Sequence, residues 1–362
     1  MTEKIRALVF PCQVFQPDPQ STSQLFSALL ARLAGNPFAV SVLCGMPPGQ
    51  KVPRRETWKG IRVERIGPMA VKSPGMVART LGYAGFSMGV FRKLLSLKPD
   101  SLVIACTNPP FLPVLVHWAS RLGGWRYRLF LLDLYPEGLE KVGLIRAGGG
   151  LASWWRRANR LAYRQAESIA LLGRDMKELL EKEYDLPSER GEWIPHWSAT
   201  SAPAPVSFAQ SRWVRRLGLE KFRVIQYSGN MGLWHDLENV VQAAARLQDR
   251  PEVRFLLAGQ GRRRAEAQKL ADQLRLKNIL WIDPVPLEEL DDLLAACHMA
   301  VISQREGLTG VAVPCKLYGI LASGRPILGA VPGDCEVARV IREEACGRVL
   351  PPHDPQAMAD CI

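Results

Sequence analysis

Short apolar runs alternate with longer stretches of helical periodicity along almost the whole chain, and no other feature limits the fold as much. Residues 5–10 are an apolar run that stops at Pro11, and residues 23–34 space their apolar side chains as a helix does and stop at Gly35. Strand-like runs recur at 38–44, 61–66, 101–106, 127–132 and 168–172. Helix-like stretches separate them at 77–97, 112–122, 153–164 and 174–183, while residues 45–60 read as a loop. Residues 187–221 break the rhythm with Pro187, Pro195, Pro203 and Pro205 among serines and alanines, and read as a hinge. The alternation then restarts with strands at 222–227, 253–258, 279–282, 299–302 and 326–330. Helices are expected between and after them at 237–247, 263–274, 287–296, 316–322 and 336–343. Such alternation implies the α/β class with mainly parallel sheets. The expected division is a first domain at 1–195, a linker at 196–221 and a second domain at 222–362. Two such domains facing each other would enclose a central cleft, where open α/β sheets hold ligands.

Composition narrows the partners. No apolar run approaches the roughly 18–20 residues of a membrane span. The N-terminus runs straight into a strand and lacks a secretory pattern, so a cytoplasmic location is expected. The eight cysteines, at 12, 44, 106, 297, 315, 335, 346 and 361, include no C-x-x-C pair and read as reduced thiols. The net charge of +12 is unevenly spread: residues 1–200 hold 27 Lys and Arg against 16 Asp and Glu, and residues 201–362 hold 20 against 19. A basic first half suits an anionic membrane, a phosphate-bearing substrate or nucleic acid, and equally a merely solvated surface. Basic residues mix with Trp and Leu around Trp154-Trp155-Arg156-Arg157, a texture of interfacial helices and of amphipathic helices packed on a domain. They form no known nucleic-acid module, so nucleic acid is not an expected partner.

The second half carries the motifs. Ser228-Gly229-Asn230-Met231-Gly232, with His235 just beyond, stands between a strand and a helix. Glycines at such a turn let backbone amides approach an anion. Ala258-Gly259-Gln260-Gly261 is a second strand-to-glycine turn. Arg264 occupies the place of the third glycine of a dinucleotide fingerprint, so this reads as a close-approach turn and not an NAD site. The third element is Arg305-Glu306-Gly307-Leu308-Thr309-Gly310, followed by Pro314-Cys315-Lys316-Leu317 at a helix start. It can grip a diphosphate by backbone donors and one cation. Glu306 could accept hydrogen bonds from sugar hydroxyls or stand as a surface carboxylate beside Arg305.

The ordered set Ser-Gly-Asn-Met-Gly…His, Ala-Gly-Gln-Gly, and Glu-Gly…Pro-Cys-Lys-Leu-Tyr-Gly-Ile-Leu-Ala-Ser-Gly-Arg-Pro resembles glycosyltransferase family 4, above all its bacterial surface-polysaccharide subgroup. Residues 15–19, Thr107-Asn108-Pro109-Pro110, Asp133-Leu134-Tyr135-Pro136-Glu137 and Ile194-Pro195-His196-Trp197 resemble the first-domain loops and the interdomain segment of that family. The resemblance implies the GT-B fold, two Rossmann-like α/β domains facing a central cleft. It also implies retaining transfer from a UDP- or GDP-type sugar, with no cofactor and no metal; the chain has no D-x-D triplet. Donor-binding residues implied in this way are Gly229, Asn230, His235, Gly259, Gly261, Gly307, Leu308, Thr309, Lys316 and Leu317. Lys316 would supply charge, and His235 stands where many members carry Lys. Glu306 matches the first Glu of the paired-glutamate motif and counts with Asp133 and Glu137 as a catalytic candidate. The second Glu is Gly319 here, which leaves ribose recognition open. Asp133 and Glu137 would orient or deprotonate the acceptor hydroxyl, or else cap the following loop.

The implied partners are a nucleotide sugar, a lipid-diphosphate-linked glycan acceptor, and an anionic membrane surface at the inner face of the cytoplasmic membrane. The chain ends at Ile362, about where the helix preceding the family's crossover helix should begin, so the crossover helix is expected to be missing. The alternative readings are a non-catalytic sugar-nucleotide-binding or scaffold protein and a GT-B sugar-nucleotide 2-epimerase.

Overall fold

The computed structural model describes residues 5–18, 20–35, 37–47, 49–67, 76–198 and 205–362, the side chains of 76–81 excepted. The chain separates into two units, Met1–Pro195 and His196–Ile362. The expectations on Pro19 of the first loop and on Pro203 lie outside the described residues.

The first unit contains β1 (Ala7–Pro11), α1 (Ser21–Leu33), β2 (Ala39–Cys44), β3 (Arg55–Trp58), β4 (Ile61–Arg65), α2 (Met76–Leu94) and β5 (Ser101–Cys106). It continues through α3 (Leu112–Gly123), β6 (Arg126–Leu131), α4 (Glu137–Lys141), α5 (Gly150–Gln165), β7 (Ile169–Leu171), α6 (Arg174–Tyr184) and β8 (Gly191–Trp193). The sheet order is β3-β4-β2-β1-β5-β6-β7-β8. Every pairing is parallel except β3 with β4. β1 lies between β2 and β5, with Val9 opposite Ser41 on one side and Val103 on the other. Its continuous Leu8-Val9-Phe10 run is buried, as a strand covered on both faces requires. β3 falls in the stretch expected as a loop. Its Arg-Glu-Thr-Trp sequence has no apolar alternation, and it is held by hairpin pairing through Lys59 and Gly60, both at positive φ.

The second unit contains α7 (Arg212–Leu217), β9 (Arg223–Ser228), α8 (Leu237–Arg246), β10 (Val253–Ala258), α9 (Arg264–Gln273), β11 (Ile279–Ile282) and α10 (Leu287–Ala295). After these come β12 (Met299–Ser303), α11 (Lys316–Ala322), β13 (Ile327–Ala330), α12 (Glu336–Glu343), β14 (Gly347–Leu350) and α13 (Pro355–Cys361). Its sheet is parallel, in the order β11-β10-β9-β12-β13-β14. The core joins Tyr227, Leu237, Val241, Phe255 and Val301 with Met358 of α13. The chain winds outward in both directions from β9 and β12, so the crevice at their carboxyl ends is the unit's switch point.

The expected linker needs correction at 205–221, which folds onto the second unit. Ser211 caps α7 by accepting from the Val214 amide, and its hydroxyl donates to the Asp292 carbonyl. The Arg212 amide donates to the Asp292 carboxylate, and Arg325 donates to the Val206 carbonyl. Among the described residues no helix is long and apolar enough to cross a membrane, and none of the eight cysteines forms a disulfide.

Candidate functional site

The turn after β9 sits at the switch point of the second unit. Gly229 adopts φ +124°, a conformation open to glycine and strained for other residues. Its amide donates to the Ala258 carbonyl, and the Met231 amide donates to the Gln260 carbonyl. The turns after β9 and β10 are therefore laced together. A Cβ on Gly259 would fall on the Gly229 carbonyl oxygen, and one on Gly261 on the Met231 carbonyl oxygen. Gly259 and Gly261 thus allow one loop to lie on another, and the Gly229 amide is engaged within the fold. The Asn230 amide has no acceptor among the described residues and is available to an anion.

Lys316 supplies the cation. Its Cε and Nζ lie 3.5 and 3.7 Å from where a Cβ on Gly229 would be. Nζ stands 3.5 Å from the centroid of the Tyr227 ring, is buried, and has no hydrogen-bond partner among the described residues. Burial pushes its pKa down to about 7. An ammonium in this position keeps its charge by binding an anion or loses its proton. Tyr227 is fixed in turn, its hydroxyl donating to the Asn230 carbonyl at 2.8 Å.

His235 packs edge-on against Tyr227, with centroids 5.9 Å apart. Its Nδ1 lies 2.8 Å from the Ser303 carbonyl oxygen, which only accepts, so Nδ1 carries the proton. Burial, then the nearby Lys316, lower its pKa to about 3. His235 is thus neutral, with an unprotonated Nε2.

The loop after β12 closes the other side. Gln304 was missed by the sequence reading, because a lone Gln at a strand end carries no pattern. Its buried amide donates to the carbonyls of Leu308 and Ala312 and shapes the loop that Gly307 turns at φ +77°. Ser303 was missed for the same reason; its hydroxyl accepts from the Asp236 amide and donates to the Asp236 carbonyl. Glu306 is exposed on this loop. Thr309 is tied down, donating to Asp334 at 2.8 Å. The side chains of Leu308 and Leu317 are buried in the core. The Leu317 and Tyr318 amides donate to the carbonyls of Pro314 and Cys315. At the start of α11 the Leu317 and Tyr318 amides are therefore engaged within the fold, and the Lys316 side chain lies beside the glycine turn.

The other candidates belong to the first unit. Asp133 follows β6, and the Leu132 and Asp133 amides donate to the Thr107 hydroxyl at 3.0 and 3.2 Å. Crowding by protein raises the Asp133 pKa to about 6, although part of its surface still meets solvent. For Glu137, expected either to act on the acceptor or to hold the following loop, the fold engages Oε1, while the buried Oε2 has no hydrogen-bond partner among the described residues. It is buried, and one oxygen accepts from Arg156 at 2.9 Å and from the Tyr184 hydroxyl at 2.7 Å. Arg156 also pairs with Glu140. A carboxylate so occupied anchors α4 to α5 and α6. Asn159 adds a bond to the Tyr135 carbonyl, and the Tyr135 ring stacks on Trp155. Among the described residues no three His, Cys, Asp or Glu side chains are arranged to hold a metal ion.

This geometry has relatives. Residues 23–197 match the model of the glycosyl transferase 4-like domain, and residues 210–362 match that of glycosyl transferases group 1. The chain is 28% identical over 261 residues to the probable glycosyltransferase WbjE of Pseudomonas aeruginosa, covering 72% of this chain and 65% of WbjE. It is 30% identical over 266 residues to the putative colanic acid biosynthesis glycosyl transferase WcaI of Escherichia coli K12, covering 70% of this chain and 63% of WcaI. The chain thus spans less than two thirds of the length of either curated relative. Among solved structures, Anabaena HepE in complex with UDP and glucose superposes with a TM-score of 0.72 at 15% identity, covering 98% of this chain and 88% of HepE. WaaG, a glycosyltransferase involved in lipopolysaccharide biosynthesis, gives 0.69 at 17% identity, covering 98% and 89%. Two family models tile the two units in order, and both solved folds run the length of the chain: it belongs to the family 4 glycosyltransferases of the GT-B fold.

Proposed function

We propose that the chain is a retaining, metal-independent glycosyltransferase that moves a sugar from a UDP- or GDP-sugar to a lipid-linked or oligosaccharide acceptor in surface-polysaccharide synthesis. The observation that carries this reading is Lys316, a buried ammonium with no acceptor among the described residues, held beside Gly229 at a switch point. In the reaction the bond between the anomeric carbon and the β-phosphate oxygen breaks. The acceptor oxygen bonds to the same face of that carbon, and the acceptor proton passes to the departing phosphate or to a base. Lys316 and the Asn230 amide take up the charge that develops on the diphosphate, a preorganised electrostatic role. Asp133, with its pKa raised to about 6, is the candidate for orienting or deprotonating the acceptor. Glu306 is the candidate for the donor-sugar hydroxyls. The complexes of HepE with UDP and with UDP-glucose make uridine nucleotides the first donors to test. The first half's charge excess, 27 basic against 16 acidic residues in 1–200, supports an anionic membrane as a second partner at the inner face of the cytoplasmic membrane.

The test is a donor panel of UDP- and GDP-sugars with a lipid-diphosphate-linked acceptor, in the presence of a chelator. Nucleoside diphosphate should appear only with acceptor, and the product's anomeric coupling should match the donor's. Release without acceptor, dependence on added metal or an inverted product would each overturn the corresponding part of the proposal.

A further inference from the structure

Exposed large apolar side chains are concentrated in one part of the molecule. Of the eleven among the described residues, ten belong to the first unit and six lie on α2, α3 and α5. α3 packs against both α2 and α5, so these side chains share one layer of helices. On α5, Leu151, Trp154 and Leu161 are 58%, 55% and 52% exposed. With Ala158 they follow spacings of three and four, one stripe of a helix. Arg157, Arg160 and Arg164 form a parallel stripe beside it, and α5 contains no acidic residue. Trp118 and Leu122 on α3 extend the apolar surface at 52% and 70% exposure. Trp154 does not swing freely, since its ring stacks on Phe111 with centroids 5.5 Å apart.

The inner face of the same helix does different work. Arg156 grips Glu137 and Glu140, Asn159 donates to the Tyr135 carbonyl, and Trp155 stacks on Tyr135. All three hold the segment that carries Asp133. We propose that α5 docks the first unit on an anionic lipid surface by its outer face and fixes the acceptor loop by its inner face. Arg160 is paired with Asp185 at 3.5 Å, and an apolar stripe flanked by Arg157 and Arg164 fits anionic headgroups over a shallow hydrocarbon layer. A helix with its side chains is about 10–12 Å across, so the segment after β6 is held about one helix width from the headgroups. The proposal rests on the acceptor-side reading above, and it gives α5 the task of setting the depth at which a lipid-linked hydroxyl meets Asp133.

The test uses the full chain and sedimentation with phosphatidylglycerol vesicles, with phosphatidylcholine vesicles as control. Wild type should pellet with the anionic vesicles at low salt and be released as salt rises. L151S/W154S/L161S should not pellet at any salt. R157Q/R164Q should bind about 25-fold more weakly, about five-fold per arginine. Both variants should melt cooperatively and keep the wild-type UDP affinity, the triple variant melting a few degrees lower for the lost stack on Phe111. Hydrogen exchange separates docking from mere adhesion: vesicles should slow exchange at 133–141 together with α5 in wild type. In Asn159→Ala they should slow α5 alone. Wild-type indifference to anionic vesicles at low salt would overturn the proposal, as would unaltered binding by the triple variant. So would a wild-type dimer that the triple variant dissolves, which would make this face a protein interface. If UDP fails to bind while vesicles do, the donor reading fails and the docking surface stands.

Discussion

Replacing Lys316 with methionine separates what the charged site costs the fold from what it does for a ligand. The ammonium is buried between Tyr227 and Gly229 with no acceptor, and burial lowers its pKa from 10.5 to about 7. That gap, at about 1.4 kcal/mol per pKa unit, holds on the order of 5 kcal/mol against the charged form. Below pH 7 the lysine is charged in folded and unfolded chains alike, and the folded state carries the full penalty. Between pH 7 and 10.5 the unfolded chain alone keeps the proton, so stability rises with pH across that window. Methionine fills a similar volume without charge. Lys316→Met should therefore raise the melting temperature at pH 6 by on the order of 10 °C, at about 2–4 °C per kcal/mol for a unit of this size. The difference should close as pH approaches 10.5. The same change should weaken UDP binding by about thirty-fold to several thousand-fold, the effect of about 2–5 kcal/mol for truncating one partner of a buried charge pair. Differential scanning fluorimetry across pH and titration calorimetry with UDP measure the two effects. In buffers of different ionisation enthalpy at pH 8, wild type should take up about one proton on binding UDP, because the diphosphate restores the ammonium. A variant that melts lower at pH 6 and binds UDP within three-fold of wild type would make Lys316 a packing residue and refute the reasoning.

Gly261→Ala should destabilise the second unit by on the order of 3 kcal/mol and abolish UDP binding, because the new methyl would lie on the Met231 carbonyl; chemical denaturation and calorimetry check both. Glu137→Ala should lower stability by about 1–3 kcal/mol, because it strands the buried Tyr184 hydroxyl and leaves Arg156 with Glu140 as its remaining carboxylate. UDP affinity should stay unchanged, whereas a catalytic carboxylate would instead show lost turnover at normal stability. If Asp133 is the base, the transfer rate should rise with pH through about 6, and Asp133→Asn should remove that limb. Its raised pKa also means that Asp133 takes stability away as pH climbs from 3.8 through 6, since the folded chain holds the proton longer. Asp133→Asn should therefore flatten the stability profile between pH 4 and 6, read by thermal melts.

Legibility from sequence followed how each element is stabilised. β1 and β5 are declared by continuous apolar runs, and β9 and β10 by runs that Gln226 and Arg254 each interrupt once. β3 is an edge hairpin whose pairing is backbone work, and nothing in Arg-Glu-Thr-Trp announces a strand. The region 205–221 looked like a linker because proline and serine are common to hinges and to helix caps; Ser211 turned out to be a cap docked on α10. In the site, the glycines at 229, 259 and 261 were visible as glycines, but not which would meet a ligand and which another loop. That distinction depends on two turns lying side by side, which sequence spacing does not encode. Lys316 stood out by its motif, yet its lack of an acceptor is a property of the folded neighbourhood.

Lys316 and His235 share one ring and one degree of enclosure, but the fold gives them opposite electrostatic states. The Ser303 carbonyl fixes the histidine proton on Nδ1, and the neighbouring ammonium opposes adding a second. Lys316 therefore brings a cation to this turn, while His235 brings an imidazole whose Nε2 carries a lone pair. A lone pair at Nε2 repels phosphate oxygens and accepts from a hydroxyl, so any contact His235 makes with a sugar nucleotide should be to a hydroxyl-bearing group. The cation comes from the chain after β12, while the glycine turn comes after β9. A diphosphate held by both must then bridge the two strands. The Ser303 hydroxyl, bonded to the Asp236 amide and carbonyl, ties the two strand ends to each other before any ligand arrives.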